Sequence, residues 1–251
     1  MINVIISGYC GKMGQVVERM CIEAGDLAVV AGFDLAPYAG EMSVFANPAD
    51  FNGDADVVID FSSPKALPAL LDFCAARSMP IILCTTGYGD EDLELIKKAA
   101  EKIPVFKSGN MSLGINLLSE LVKKAAQVLG GFDVEIIERH HRMKVDAPSG
   151  TAFMLADAVA QGLPYTPEYK FERYSTREKR SKNEIGISAI RGGTIVGEHE
   201  VIFAGTDEVI EIKHSALSRE VFATGALAAT RFMSGVTAPR IYDMGDVLAV
   251  S

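Results

Sequence analysis

Short apolar runs alternate with amphipathic segments along about the first 110 residues of the chain. The apolar runs of strand length are residues 2–7, Leu27–Phe33, Asp56–Phe61, Ile81–Thr85 and a run that begins over Pro104–Lys107. The segments with apolar residues at helical spacing are Lys12–Ala24, Pro64–Ala76 and Asp90–Lys102. This alternation is typical of a parallel sheet covered on both faces, so it predicts a doubly wound α/β domain.

The pattern changes after residue 112. Helices are predicted over Ile115–Leu129, which ends at Gly130-Gly131, and over Thr151–Gln161. The predicted strands are Asp133–Glu138, Ile185–Arg191, Gly197–Ala204 and Glu208–Ala216. Gly-Gly and Gly-Thr-Asp turns join the last strands, which favours a mixed or antiparallel sheet. A final helix over Phe222–Gly235 is expected to return to the first domain. The expected division is 1–112 completed by 221–251, and a smaller α+β domain over 113–220.

Composition narrows the class of protein. The chain has 251 residues, a net charge of −9 and a pI near 5.0, which argue against binding to nucleic acid or to an anionic membrane. No apolar run reaches about 18 residues, and the first residues lack the pattern of a signal peptide. The four cysteines are Cys10, Cys21, Cys74 and Cys84, and their spacing fits no zinc site. A cytoplasmic protein with reduced cysteines and no metal is expected.

A glycine-rich loop lies between the first strand and the first helix. Gly8, Gly11 and Gly14 permit a tight turn and let backbone N–H groups approach a pyrophosphate. Asp34 ends the second strand, where an acid accepts hydrogen bonds from ribose hydroxyls and repels a 2′-phosphate. Leu35 follows it instead of an arginine, which favours NADH over NADPH. Lys12 points the other way, because it is placed to reach a 2′-phosphate.

Two more strand ends are expected at the same edge of this Rossmann-like sheet, where ligands bind. Phe61 is a candidate to pack on a cofactor ring, and Thr85, Thr86 and Gly87 offer hydroxyl and backbone partners to ribose or carboxamide. For each of these residues, ordinary loop structure is an equally good interpretation.

The segment Glu138–Thr151 brings together the groups that suit a small, multiply anionic substrate. His140 and His141 are adjacent, and a histidine is suited to donate a proton near neutral pH. Lys144 supplies a cation. Ser149, Gly150 and Thr151 open a predicted helix, where N–H groups and the helix dipole favour anions. The hydroxyl of Thr151 has a second interpretation as a helix cap.

Other polar residues in this half of the chain carry weaker signals. If the strand continues, His140 and His141 point to opposite faces. Asp146 is expected to set turn geometry, and the isolated His199 and His214 are interpreted as structural or surface residues. The basic run over residues 170–183 is either a solvated mobile loop or a basic lid near an anionic substrate.

These motifs resemble the dihydrodipicolinate reductase family, known also as 4-hydroxy-tetrahydrodipicolinate reductase, and the match runs from end to end. The segments that carry the resemblance are Gly8–Gly14, Asp60–Pro64, Cys84–Gly87, Ser108–Asn116, His140–Thr151, Arg191–His199 and Ile241–Leu248. Met111 and Ala228 depart from the family pattern, since an aromatic residue and an arginine are common there. Leu35 puts the family's usual tolerance for NADPH in doubt.

The resemblance implies reduction of a cyclic imine dicarboxylate by NADH or NADPH in diaminopimelate and lysine synthesis. It implies that His140 is the general acid and that Lys144, Gly150 and Thr151 bind substrate carboxylate, with His141 at the same site. Lys12, Met13, Asn110 and Met111 join the glycines, Asp34, Phe61 and the 85–87 turn as cofactor-contact residues. A homotetramer formed through the second domain's sheet is also implied. The alternatives are another two-domain NAD(P)-dependent dehydrogenase of a small anionic substrate, or a non-catalytic nucleotide sensor.

Overall fold

The structure is a computed structural model that describes residues 1–36 and 38–249. Its strands are β1 Ile2–Ser7, β2 Leu27–Phe33, β3 Val44–Phe45, β4 Val57–Asp60, β5 Ile81–Leu83, β6 Val105–Lys107, β7 Asp133–His140, β8 Glu168–Lys170, β9 Glu184–Arg191, β10 Gly197–Ala204, β11 Val209–Ala216 and β12 Ile241–Tyr242. Its α-helices are α1 Lys12–Ala24, α2 Leu67–Arg77, α3 Asp90–Ala100, α4 Leu113–Val128, α5 Gly150–Gly162, α6 Glu220–Met233 and α7 Met244–Ala249.

The chain divides into two compact units. The first is Met1–Leu113 with Glu220–Ser251, and the second is Gly114–Arg219. These boundaries fall within one residue of those expected from the sequence.

The first unit is built on a parallel sheet with the strand order β12-β6-β5-β4-β1-β2-β3. Successive residues of β1 enter different cores, because side chains alternate across a strand. Val4 and Ile6 pack with α1 and α6, whereas Ile5 packs with α2 and α3. The sheet is therefore buried on both faces, and the predicted doubly wound fold class is confirmed.

The sheet order reverses at β1, which pairs with both β2 and β4. In open α/β sheets, ligands bind outside the carboxyl ends of the strands at such a reversal. Here those ends are Ser7, Phe33 and Asp60. The fold thus brings the glycine loop and the acidic strand end of the first unit to one edge.

The second unit has a mixed sheet with the order β11-β10-β7-β9-β8. β7 is antiparallel to β10 and parallel to β9, and α4 and α5 share a core with one face of the sheet. The Gly-Thr-Asp turn joins the antiparallel pair β10 and β11, as predicted. β9 and β10 follow each other in the chain but do not pair, because β7 lies between them. Their connection is held at the end of β7, where the Gly192 N–H donates to the His140 carbonyl at 2.9 Å.

The structure corrects several element predictions. Phe222–Gly235 was not the final helix, because α6 is followed by β12, which extends the first sheet, and by α7. The two-residue strands β3 and β12 are too short for a periodicity to appear. β7 continues two residues beyond Glu138 and includes His140. Ala228 packs against the core of the first unit. Among the residues described, no helix is long and apolar enough to cross a membrane.

Candidate active site

The glycine loop of the first unit is packed too closely for side chains. Gly8 has a φ of +76°, and an added Cβ would lie 2.7 Å from the Phe61 carbonyl oxygen. A Cβ on Gly14 would lie 2.3 Å from the Gly8 carbonyl oxygen. Gly11 is the N-cap of α1 and provides no side-chain cap, so the first N–H groups of the helix keep their capacity to bind an anion. The loop therefore fits a dinucleotide pyrophosphate.

A cavity of about 470 Å³ adjoins this loop. Its walls include Gly8, Gly11, Asp34 and Phe61. The Asp34 carboxylate is held by two backbone donors, the Cys10 N–H at 2.9 Å and the Ala36 N–H at 2.9 Å. Each oxygen retains a further lone pair, so a fixed carboxylate faces a space suitable for a nucleoside. The residues present fit the ribose contact predicted for Asp34.

Asp60 organises the next strand ends, a role that was not predicted from the sequence. Its carboxylate is fully buried and accepts hydrogen bonds from the Ser62 N–H at 3.0 Å and the Thr85 hydroxyl at 2.8 Å. The Thr85 hydroxyl is thus engaged within the protein, which leaves the backbone of the 85–87 turn as the more available partner for a cofactor. The signal for Asp60 was its place at the carboxyl end of a central strand.

The other predicted cofactor residues differ in exposure. Lys12 is exposed at the first position of α1, and Met13 and Phe61 are partly buried. Thr86 and Gly87 are exposed. Asn110 accepts a hydrogen bond from the Ser112 N–H at 2.8 Å. Met111 is buried, and its side chain lies in the core of the first unit.

In the second unit, His140 ends β7 with its ring held by a neighbouring carboxylate. Nδ1 of His140 lies 2.6 Å from Oε2 of Glu138. A Cβ on Gly197 would lie 3.1 Å from Nε2 of His140, so the glycine leaves room for the ring. Burial lowers the pKa of His140, and the hydrogen bond with Glu138 offsets part of this effect. The ring is therefore mainly neutral at pH 7 until an anion approaches it.

Arg191 neutralises Glu138. Its Nη1 and Nη2 donate to Oε2 at 2.7 Å and to Oε1 at 2.6 Å, which is a bidentate pair. Burial raises the pKa of Glu138, but the hydrogen bonds from Arg191 and His140 outweigh it and hold this pKa below its usual range. Arg191 also donates to the Asp146 carbonyl at 2.6 Å. Arg191 lies in one of the segments that resemble the family, but its role was not predictable from sequence, because a strand-end arginine has no distinctive spacing.

The polar groups of Ser149 have partners within the protein. Ser149 was predicted to bind substrate, but its N–H donates to Oε1 of Glu138 at 3.0 Å and its hydroxyl caps α5 by accepting from the Ala152 N–H at 3.2 Å. The residue is buried, so these groups are used inside the protein. Gly150 is exposed, and an added Cβ there would meet nothing within 4 Å. The start of α5 can therefore take an anion at Gly150 and Thr151, with Ser149 as its cap.

Lys144 and His141 lie in the segment that follows β7. Nζ of Lys144 is 3.0 Å from Oδ1 of Asp146, so the Asp146 carboxylate holds this cation. His141 lies just outside the strand and is partly buried. The alternation expected of two histidines within one strand therefore does not apply to it. His140, Lys144 and the start of α5 belong to the same short stretch of chain. Within it, His140 and the cap of α5 both contact the Glu138 carboxylate.

His199 is not isolated, contrary to the expectation from sequence. Its ring centroid is 5.2 Å from that of His140, nearly perpendicular to it, and its Nε2 lies 3.0 Å from the Ser149 hydroxyl oxygen. The residue is only 4% exposed. Burial lowers the pKa of His199 to about 4, so this ring is neutral at pH 7. No sequence spacing links residues 140 and 199; the antiparallel pairing of β7 with β10 brings them together.

The basic run is attached at the opposite end of the sheet from His140. Nη2 of Arg180 donates to the carbonyls of Val134 at 2.9 Å and Glu184 at 2.6 Å, and its Nη1 contacts Asp133 at 2.8 Å. Asp133 and His140 are the two ends of β7, about 23 Å apart at 3.3 Å per residue. The run is therefore not a lid over His140.

The first unit has the parallel sheet, glycine loop and strand-end carboxylate of a dinucleotide-binding domain, and the second presents a histidine, a lysine and a helix start suited to an anion. These features define the class of two-domain, nicotinamide-dependent oxidoreductases.

Comparison with known proteins identifies the family. The family model described as dihydrodipicolinate reductase, N-terminus, matches residues 2–111, and that described as dihydrodipicolinate reductase, C-terminus, matches residues 114–248. The 4-hydroxy-tetrahydrodipicolinate reductase of Caldanaerobacter subterraneus subsp. tengcongensis is 52% identical over 248 residues, which are 99% of this chain and 98% of that protein. The protein of the same name from Clostridium botulinum is 47% identical over 252 residues, covering 100% of both chains.

A solved structure agrees. The dipicolinate-bound dihydrodipicolinate reductase from Paenisporosarcina sp. TG-14 has a TM-score of 0.81 and 26% identity, with 97% of each chain covered. The chain belongs to the dihydrodipicolinate reductase family. The family and the oxidoreductase class inferred from the sequence are confirmed.

Proposed function

We propose that the chain reduces 4-hydroxy-tetrahydrodipicolinate to tetrahydrodipicolinate with NAD(P)H, in the synthesis of diaminopimelate and lysine. The observation that carries this proposal is the His140–Glu138 pair beside the capped start of α5, in a chain of this family. A proton donor, a lysine and a helix start in one short segment suit a cyclic imine that bears two carboxylates.

The residues of the second unit have distinct roles in this reaction. When bound, the reduced nicotinamide supplies the hydride. His140 donates the proton that the substrate needs after hydride addition, and it does so from Nε2, because Nδ1 faces Glu138. Lys144 binds one carboxylate as a point charge, and the N–H groups at Gly150 and Thr151 bind carboxylate through the helix start. His141 lies at the same substrate site. The approaching carboxylates raise the pKa of His140, which burial lowers in the free protein.

The test follows NADH and NADPH oxidation with the cyclic imine generated in solution and pyridine-2,6-dicarboxylate as inhibitor. His140→Ala should lower kcat by about 10²–10⁴-fold and leave the Kd for NADH unchanged, because the residue donates a proton and does not hold the cofactor. Normal turnover by this variant would exclude His140 as the acid. If the unaltered protein oxidises neither cofactor, the reductase proposal fails, and a different dehydrogenase or a nucleotide sensor becomes the better interpretation.

We further propose that NADH is favoured. The Asp34 carboxylate is held at the cavity wall by two N–H donors, where it would repel a 2′-phosphate. Lys12 is the competing residue, exposed at the start of α1. NADH should therefore give a higher kcat/KM than NADPH. In Asp34→Ala the difference in kcat/KM between the two cofactors should be smaller. A strong preference for NADPH would mean that Lys12 outweighs Asp34.

The remaining proposals concern assembly and location. A homotetramer through the second unit's sheet is supported by apolar residues that are exposed on that sheet and beside it: Ile190 is 45% exposed, Val209 58% and Leu217 89%. Light scattering on the purified protein tests this, and a monomer at micromolar concentration would contradict it. A cytoplasmic location follows from a biosynthetic role and is checked by fractionation of cells. The binding partner that this role implies is a small dicarboxylate.

A further inference from the structure

Glu138 is a fully buried carboxylate on a strand whose other inward residues form a core. Val134 and Ile136 precede it on the same face and pack against α4 and α5. An ion pair at such a position is often no more stabilising than apolar side chains of similar size, because both charges lose their water. The stability of the fold is therefore a weak explanation for a carboxylate at this position.

The Glu138 carboxylate contacts both parts of the candidate substrate site. Oε2 lies 2.6 Å from Nδ1 of His140, and Oε1 accepts from the Ser149 N–H at 3.0 Å. Both oxygens also accept from Arg191. One rigid, neutralised carboxylate thus connects the histidine to the cap of α5.

We propose that Glu138 and Arg191 are positioning residues for His140 and for the start of α5. They keep the proton of neutral His140 on Nδ1, so that Nε2 is the atom that exchanges the catalytic proton. They also fix the position of the start of α5 relative to the His140 ring. Arg191 keeps Glu138 ionised and oriented. The catalytic consequence rests on the proposed reductase function, whereas the tautomer and the position of the start of α5 do not.

Opposite charges on the two residues make the pH dependence diagnostic. The groups that face His140 are Glu138, Arg191, Lys144 and His199, with Ser149 and Gly197 as neutral neighbours. Removal of the carboxylate leaves Arg191 and Lys144 to repel a proton, so the alkaline limb of kcat/KM should move to lower pH in Glu138→Gln. Removal of the cation leaves Glu138 to attract one, so this limb should move to higher pH in Arg191→Met. Each movement should be about one pH unit.

The decisive variant is Glu138→Leu with Arg191→Met, which replaces both charges by apolar side chains of similar length and so leaves no unpaired charge. Its unfolding midpoint should fall only modestly, because the Ser149 N–H loses its acceptor but no charge is left unpaired, while kcat falls by about 10–100-fold. Nitrogen NMR of the His140 ring should show protonated Nδ1 in the unaltered protein and a mixture of tautomers in this variant. In a His140→Ala background the same double change should lower kcat far less than in the unaltered protein, because only its effect on the start of α5 remains.

Arg139→Met is the matched control, because Arg139 lies between Glu138 and His140 but pairs with Glu200 on the other face of the sheet. It should preserve the His140 tautomer. A folded Glu138/Arg191 double variant with an unchanged His140 tautomer and an unchanged kcat would overturn the proposal. If the double variant does not fold, Glu138→Gln and Arg191→Met test the proposal by themselves. Movement of the alkaline limb of kcat/KM by the same amount and in the same direction in both variants would assign the pair a structural role only. NMR still tests the tautomer if the protein proves to reduce no imine.

Discussion

The buried ring of His199 should make the protein markedly less stable in acid. Its side chain is 4% exposed, packs against His140 and contacts the Ser149 hydroxyl. Burial lowers its pKa from 6.5 to about 4, and the nearby His140 acts in the same direction. The neutral ring suits this position, whereas a charged one would lose its water and be only partly compensated by the Glu138 carboxylate.

The sign and size follow from proton linkage. Above pH 6.5 the ring is neutral in both states and does not affect the free energy of unfolding. As the pH falls from 6.5 to about 4, the unfolded chain binds the proton and the folded chain does not, so stability is lost. Since each pKa unit corresponds to about 1.4 kcal/mol, the full loss is about 3 kcal/mol, of which about 2 kcal/mol should have occurred by pH 5.

Urea unfolding between pH 4.5 and 8 measures this effect. In His199→Gln, which has no ring to titrate, the free energy of unfolding should decline less in acid, so that the difference from the unaltered protein changes by about 2–3 kcal/mol across this range. His214→Gln is the matched control: burial also lowers the pKa of His214, but this ring is only partly buried, so its effect should be smaller. A difference that stays constant within about 0.5 kcal/mol from pH 7.5 to 4.5 would refute the reasoning.

Other expected outcomes test the remaining site assignments. Lys144→Ala should raise the Kd for pyridine-2,6-dicarboxylate by about 10–100-fold in calorimetry and leave that for NADH unchanged, since it removes one charge-assisted contact; equal inhibitor affinity would remove Lys144 from the carboxylate site. Gly14→Ala should lower the thermal midpoint and weaken NADH binding, because its Cβ would lie 2.3 Å from the Gly8 carbonyl oxygen. Gly131→Ala is the control: its Cβ would meet nothing within 4 Å, so the thermal midpoint and NADH binding should not change. Arg180→Met should lower the free energy of unfolding by about 2–4 kcal/mol, since the buried carbonyls of Val134 and Glu184 lose their donor. It should change kcat less than twofold. A large loss of kcat would favour the interpretation of the basic run as a lid.

Much of the fold follows from local pattern. The bounds of β1, α1, β2 and β10 are those read from the sequence, because long apolar runs and strict periodicity leave one assignment for each. The glycine loop and Asp34 were also readable, since their chemistry depends on residue type and on their position after a strand. The short strands β3, β8 and β12 were not, because two or three residues carry no period.

The sequence predicted His140 as proton donor, together with Lys144 and the start of α5. These groups could be predicted because they lie within one short segment and their chemistry follows from residue type. The partners of His140 depend on strand pairing. β9 and β10 flank β7, which places Arg191 against Glu138 and His199 against His140 across separations of 53 and 59 residues. The same packing directs the Ser149 N–H to Glu138. The sequence alone thus determined which groups the site contains, whereas tertiary structure decided which of them are engaged within the protein, because burial and long-range pairing set the partners of each polar group.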